Sequence, residues 1–207
     1  MTVPLQDMIE TIDKDLVVYD EKREMALKKS REIIRRSAAL IMGCHRGDAT
    51  EDLLERWNAI RKMLNELNSE LVHTPSLLRA GFVESAQGEA VEAVVVLRLR
   101  QNVGAEGNDF YPEADKLGVG GVAYLKGLGD VMGELRRFTL NALRDGDMEA
   151  AQWYYEQMEV IFSSMTGLRY THTSSDLRRK MDTARVLLER TLGELVHIQH
   201  LQSVSGN

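Results

Sequence analysis

Gly88-Glu-Ala-Val-Glu-Ala-Val-Val-Val-Leu-Arg-Leu99 sets two carboxylates, Glu89 and Glu92, into an otherwise apolar run from Ala90 to Leu97. Its valines are strand formers, yet outside such short runs strand formers are scarce in this chain. With three prolines, four phenylalanines, ten methionines and abundant Leu, Ala, Glu and Arg, the composition favours helix throughout. The stretch therefore reads as a helix and the chain as all-α. A spacing of three then puts Glu89 and Glu92 on one helix face. Asp130 and Glu134, four apart in Gly127-Leu-Gly-Asp-Val-Met-Gly-Glu-Leu135, share a face in the same way. Two such helices packed together could set four oxygen ligands around a divalent cation, which points to a metal-dependent hydrolase.

At 207 residues the chain can bury a full core without disulfides or structural metal. No linker, repeat or low-complexity tract divides it, so residues 1–207 read as one domain. The single cysteine, Cys44, excludes an intramolecular disulfide and a Cys-x-x-Cys metal site, and fits a reducing cytoplasm. Met1-Thr-Val-Pro-Leu-Gln-Asp7 has neither the basic nor the apolar region of a signal peptide. No apolar run approaches the ~18 residues of a membrane span. A cytoplasmic protein without a membrane partner is expected. The net charge of −6, from 26 basic and 32 acidic residues, gives no global attraction to nucleic acid. Any polyanion must meet a local basic patch.

Punctuation places six or seven helices. The first spans about Leu5 to His45, with a break expected near Asp20, and stops at Arg46-Gly47-Asp48. Thr50 is expected to cap a second, to about Leu71, with Glu51 and Asp52 in its first turn. Thr74-Pro75 opens a third that continues to about Arg100. Residues 101–116, with Gly104, Gly107, Asn108 and Pro112, form the longest loop. A fourth helix covers about Val119 to Arg144, Asp147 caps a fifth to about Thr166, and Ser175-Asp176 starts a last one reaching about Gln199. Ser203-Val-Ser-Gly-Asn207 is expected to fray.

At about 100° per residue, Glu89 and Glu92 share their side of the third helix with Phe82, Val96 and Leu99, while Glu84 and Arg98 lie opposite. A carboxylate on an apolar stripe costs several kcal/mol unless it has a cation, a basic partner or a raised pKa. A buried acid paired with a neighbouring arginine is the plain structural alternative. Asp130 and Glu134 share a face with Lys126, Arg137 and Asn141, so an exposed face with intrahelical ion pairs competes there. Gly127, Gly129 and Gly133 weigh against that reading, since each costs about 1 kcal/mol of helix propensity and is justified where a backbone or a substrate comes close.

Ser30-Arg-Glu-Ile33 with Ser37 and then Cys44-His-Arg46 resembles the first conserved helix of the translin and Trax family. Gly88-Glu-Ala-Val-Glu-Ala93 resembles the E-x-V-E-A pattern of Trax's glutamate helix. Tyr124-Leu-Lys-Gly-Leu-Gly-Asp-Val-Met-Gly-Glu-Leu-Arg-Arg137 resembles its Y-L-x-G-V-x-D-L-x-G-E-L-x-R motif, and Asn141-Ala-x-x-x-Gly146-Asp147 its N-S-V-x-x-G-D. The likeness covers nearly the whole chain. It implies a translin-like α-α superhelix, a bundle of seven helices, closing into hollow octamers with inward-facing sites. In that family, Trax-type subunits are endoribonucleases whose carboxylates bind magnesium. Translin-type subunits lack the acidic set and bind single-stranded nucleic acid without cutting it. This chain has acids at all four positions, so it resembles the catalytic branch, as archaeal Trax-like proteins do. It departs at Arg79-Ala-Gly-Phe-Val-Glu-Ser-Ala-Gln87, which is nearly uncharged where translin has a basic, histidine-rich segment.

The resemblance thus implies a Mg²⁺ site, with Mn²⁺ as a substitute, built from Glu89, Glu92, Asp130 and Glu134. The first three would be ligands, and Glu134 would also orient or deprotonate the attacking water. Hard carboxylate oxygens suit Mg²⁺, which can hold a scissile phosphate oxygen, lower the pKa of a bound water and neutralise charge developing during in-line attack. The expected substrate is single-stranded RNA, and single-stranded DNA as a second partner. Lys28, Arg31 and Arg35 on the first helix, with Lys126 and Arg137 beside the acids, are the candidate phosphate contacts, against a solvated helix face. Trp57 and Trp153 read as core or interface. Two rivals remain. Glu70-Leu-Val-His73 and Glu194-Leu-Val-His197 have the Glu-x-x-His spacing of ferritin-like di-metal bundles, and the chain could instead be a non-catalytic, translin-like binder of single-stranded RNA or DNA.

Overall fold

Helix α4 (Gly81–Gln101) is the axis of the fold because its apolar residues cover every side, and such a helix is stable only when others surround it. Val91 and the residues from Ala93 to Leu97 are at most 1% exposed. The β-branched valines cost up to ~0.7 kcal/mol each in helix propensity, whereas burying each side chain returns at least ~1.5 kcal/mol. Burial therefore outweighs the strand preference of the run.

The protein, seen in a computed structural model, is described at residues 4–107, 110–168 and 175–205. Around α4 pack α1 (Leu5–Arg46), α2 (Thr50–Leu71) and α6 (Gly121–Asp145), while α7 (Met148–Thr166) and α8 (Ser175–Ser205) pack on α6 and on each other. Two one-turn helices, α3 (Pro75–Leu78) and α5 (Ala114–Leu117), serve as connectors. No strand occurs among the described residues. Buried side chains of α1, α2, α4, α6, α7 and α8 form one continuous apolar cluster.

The structure corrects several expected boundaries. Helix α1 has no break at Asp20; its 42 residues form one rod of about 63 Å. Every described residue before Tyr19 is exposed on it. The expected third helix divides at Arg79 and Ala80, and the Ala80 backbone turns extended before Gly81 opens α4. Neither Thr50 nor Thr74 caps with its side chain: Thr50 is already inside α2, and the Thr74 hydroxyl accepts from Lys22 Nζ at 3.4 Å. The loop after α4 contains α5, and α8 runs on to Ser205 rather than stopping near Gln199. Asn108, Gly206, Asn207 and the Ser175 side chain lie outside the described residues. Asp147 does cap α7, accepting from the Ala150 amide at 2.9 Å.

A polar clamp sets the start of α6 against α4. Gln87 Oε1 accepts from the Gly120 amide at 3.1 Å, its amide nitrogen donates to Asn68 Oδ1 at 3.3 Å, and Asn68 Nδ2 donates to the Gly118 carbonyl at 2.6 Å. Gln87 is buried, and bonding both its ends offsets the desolvation of its amide. Three elements are thereby fixed in register just ahead of the acidic residues.

Candidate active site

Helices α4 and α6 meet glycine to glycine. A Cβ on Gly127 would lie 2.5 Å from the Gly88 carbonyl and 2.8 Å from Val91 Cβ, so only glycine permits this approach. Glu89 and Glu92 follow directly after Gly88, and Asp130 and Glu134 one and two turns after Gly127. The close crossing therefore brings both carboxylate pairs to one place. Gly129 has a different neighbour, the aliphatic stem of Lys180, at 3.3 Å from where its Cβ would be, and Gly133 faces open space.

Glu92 is the buried centre of the group, 8% exposed. Burial and the charges of Glu89, Asp130 and Glu134 push its carboxyl up to about 8. Burial, then Asp130, likewise raises Glu89. Neither glutamate has a hydrogen-bond or ion-pair partner among the described residues, so the arginine pairing weighed from sequence is not found. Asp130 and Glu134 are not in intrahelical pairs either. Asp130 Oδ1 pairs with Lys180 Nζ from α8, and Glu134 Oε2 with His45 Nε2 from the end of α1. The bond from His45 holds the Glu134 carboxyl below the usual range. The His45 ring stacks on Phe138 with centroids 4.1 Å apart. Its Nδ1 is buried without a partner, consistent with the ring proton on Nε2, donated to Glu134.

The residues fit a hard dication in chemistry but not as a ready shell. Their donors are all carboxylate oxygens, and Glu92, raised by burial and then by its three acidic neighbours, has no arginine to offset them. Among the described residues, however, no three His, Cys, Asp or Glu side chains already converge to hold a metal ion. Asp130 and Glu134 would have to turn away from Lys180 and His45.

Beside the acids is a cavity of about 180 Å³ whose lining includes Glu84, Glu89, Asp130 and Asp176 and three cations, Lys126, Arg179 and Lys180. Lys126 pairs with Glu84 and lies 3.7 Å from Asp176, which also binds Arg179 at 3.3 Å. Of the expected phosphate contacts, Lys126 thus lines the site, and exposed Arg137 is near enough to lower the Glu134 carboxyl. Lys28, Arg31 and Arg35 are exposed on α1, where Arg35 is held by Glu32 at 2.6 Å. Trp57 and Trp153 are core, the latter donating to the Ala105 carbonyl at 3.1 Å. The di-metal alternative fails: Glu70, His73, Glu194 and His197 are all exposed, and Glu70 is paired with Lys29 at 2.8 Å.

Sequence reasoning missed Lys180 and passed over His45. His45 carried a signal, since it stands in the Cys44-His-Arg46 segment; Lys180, inside a basic run opening α8, carried none.

The raised Glu92 carboxyl makes a pH prediction. Between the ordinary value near 4.5 and about 8, folded Glu92 keeps a proton that the unfolded chain has lost, so stability falls as pH rises through that window. The neutral Glu92→Gln variant escapes this loss. Without added metal it should exceed wild type by up to about 5 kcal/mol above pH 8, and the difference should vanish near pH 4.5. Equal melting curves at both ends of the range would show that Glu92 is not the strained group.

The sequence model of the Translin family matches residues 83–191, the span holding both acidic pairs. An uncharacterized protein of Methanocaldococcus jannaschii is 33% identical over 187 residues, covering 88% of this chain and 79% of that one. Among solved structures, the crystal structure of AfC3PO superposes with a TM-score of 0.79 at 25% identity, covering 94% of this chain and 98% of that chain. AfC3PO in a duplex RNA complex gives 0.77 at 27% identity, over 94% and 97%. Apo-NeC3PO, at 20% identity and a TM-score of 0.78 over 96% and 99%, shows the shared fold.

Proposed function

Because the chain belongs to the translin family, we propose that it is a Mg²⁺-dependent endoribonuclease of single-stranded RNA. The observation that carries this reading is the meeting of Glu89 and Glu92 with Asp130 and Glu134 across the glycine crossing of α4 and α6. Glu89, Glu92 and Asp130 would hold the ion. A bound Mg²⁺ would neutralise a phosphate oxygen and acidify a water. Glu134, kept anionic by His45, is the group able to accept that water's proton. Lys126, lining the adjoining cavity, and Arg137, close enough to lower Glu134, would be the contacts for a strand's phosphates.

AfC3PO was solved with duplex RNA, which supports RNA as the ligand class and makes duplex binding a separate matter from duplex cutting. The test is a joint digestion of a labelled single strand and the same strand annealed to its complement, with Mg²⁺ or with EDTA. The single strand should be cut internally and faster, and only with metal. EDTA-resistant cleavage sinks the metal reading; binding without any cleavage favours the translin-like binder.

A closed homo-oligomer, an octamer by family likeness, belongs to the same proposal. Leu5, Ile9, Ile12 and Leu16 form an exposed stripe on the protruding end of α1, and Leu192, Val196, Leu201 and Val204 are exposed on α8. A second copy would cover such surface. Sedimentation should give a mass several times 23.4 kDa, and a monomer at micromolar concentration would refute assembly.

A further inference from the structure

Among the described residues, Lys180 is the one ammonium paired with any of the four carboxylates, through Asp130, and its position is built rather than incidental. Its stem lies across Gly129, where a Cβ would come within 3.3 Å of it, and its side chain is 27% exposed. From there Nζ reaches Asp130, and its charge opposes the rise of both Glu89 and Glu92. A dication binding these acids must compete with this resident cation.

The adjoining cavity of about 180 Å³ has four carboxylates against three cations, a formal net of −1. An anionic phosphate is therefore unwelcome while Lys180 serves Asp130. Once a dication sits on the acids, the local sign reverses, and a lysine's flexible four-carbon stem lets the released ammonium turn into the cavity without moving the helix. Lys126 already lines that space. The volume suits a phosphate group with a few waters.

We propose that Lys180 is a resident counter-cation which a divalent metal displaces from Asp130 and which then binds a phosphodiester oxygen of the strand, so that metal and strand bind cooperatively. This rests on the metal-site reading above. Linkage requires the effect to be mutual: metal tightens the strand, and the strand tightens metal, by the same factor.

The test uses the full chain and Mn²⁺ as probe, titrated calorimetrically, followed by anisotropy of a labelled 2′-O-methyl RNA strand with and without Mn²⁺. Lys180→Met removes the competitor, so Mn²⁺ should bind up to about fivefold more tightly than to wild type, the scale of one partly solvated ion pair. In the same variant, the enhancement of strand binding by Mn²⁺ should shrink to the part that the ion contributes by itself. Lys180→Arg, which keeps the charge, should restore wild-type Mn²⁺ affinity, a rescue that a merely structural lysine would not produce. If wild type binds Mn²⁺ and Lys180→Met binds it equally or more weakly, the counter-cation role is overturned while the metal site stands. If strand enhancement is as large in Lys180→Met as in wild type, the phosphate role is overturned. If wild type shows no saturable Mn²⁺ binding, the proposed function and this inference fall together.

Discussion

Asp130→Asn or Glu89→Gln should lower Mg²⁺-dependent cleavage of single-stranded RNA by at least about 10³-fold, the scale seen when a group acting directly at a reacting centre is removed. Both substitutions keep the side chain's size and remove one negative charge. Asp130 also loses its pair with Lys180, but that pair is partly solvated and its loss should cost no more than about 1 kcal/mol. Removing charge from beside Glu92 acts in the opposite direction, because its carboxyl is raised partly by Glu89 and Asp130. Fold and oligomer size should therefore stay close to wild type. Rates are best compared at limiting Mg²⁺, where a weakened site cannot be rescued by saturation. Wild-type cleavage by either variant there would remove these residues from the chemistry.

Gly127→Ala should destabilise the protein by about 3 kcal/mol, at the upper end for overpacking, because the new methyl would strike backbone rather than a flexible side chain. For a chain of this size that is a fall in melting temperature of roughly 6–12 °C. Gly133→Ala is the matched control: it lies on the same helix, nothing stands within 4 Å of its Cβ, and the gain in helix propensity should stabilise by about 0.5–1 kcal/mol. Opposite signs for two identical substitutions two turns apart would tie the cost to the α4 contact. If both variants melt alike, the helices are not held by that crossing. Separation at Gly127 would also carry Glu89 and Glu92 away from Asp130 and Glu134, so the surviving folded Gly127→Ala should bind Mn²⁺ more weakly.

Much of this was legible in the chain because it depends on local spacing. Helical composition, the Asp147 cap, the turn at Gly47, and the shared faces of Glu89 with Glu92 and of Asp130 with Glu134 all follow from patterns spanning a few residues. The cost of the α6 glycines also pointed to a close approach before any partner was known. Local signals misled at Asp20, where no glycine or proline stands to interrupt α1, and at Arg79 and Ala80, where the chain turns between α3 and α4 although both residues favour helix. The partners of the acids were beyond sequence altogether. His45 stands 89 positions from Glu134, and Lys180 stands 50 from Asp130. Spacing on one helix fixes which side chains share a face, but which cation that face meets is set by how α1 docks on α4 and α8 on α6, a long-range outcome of burying the apolar core.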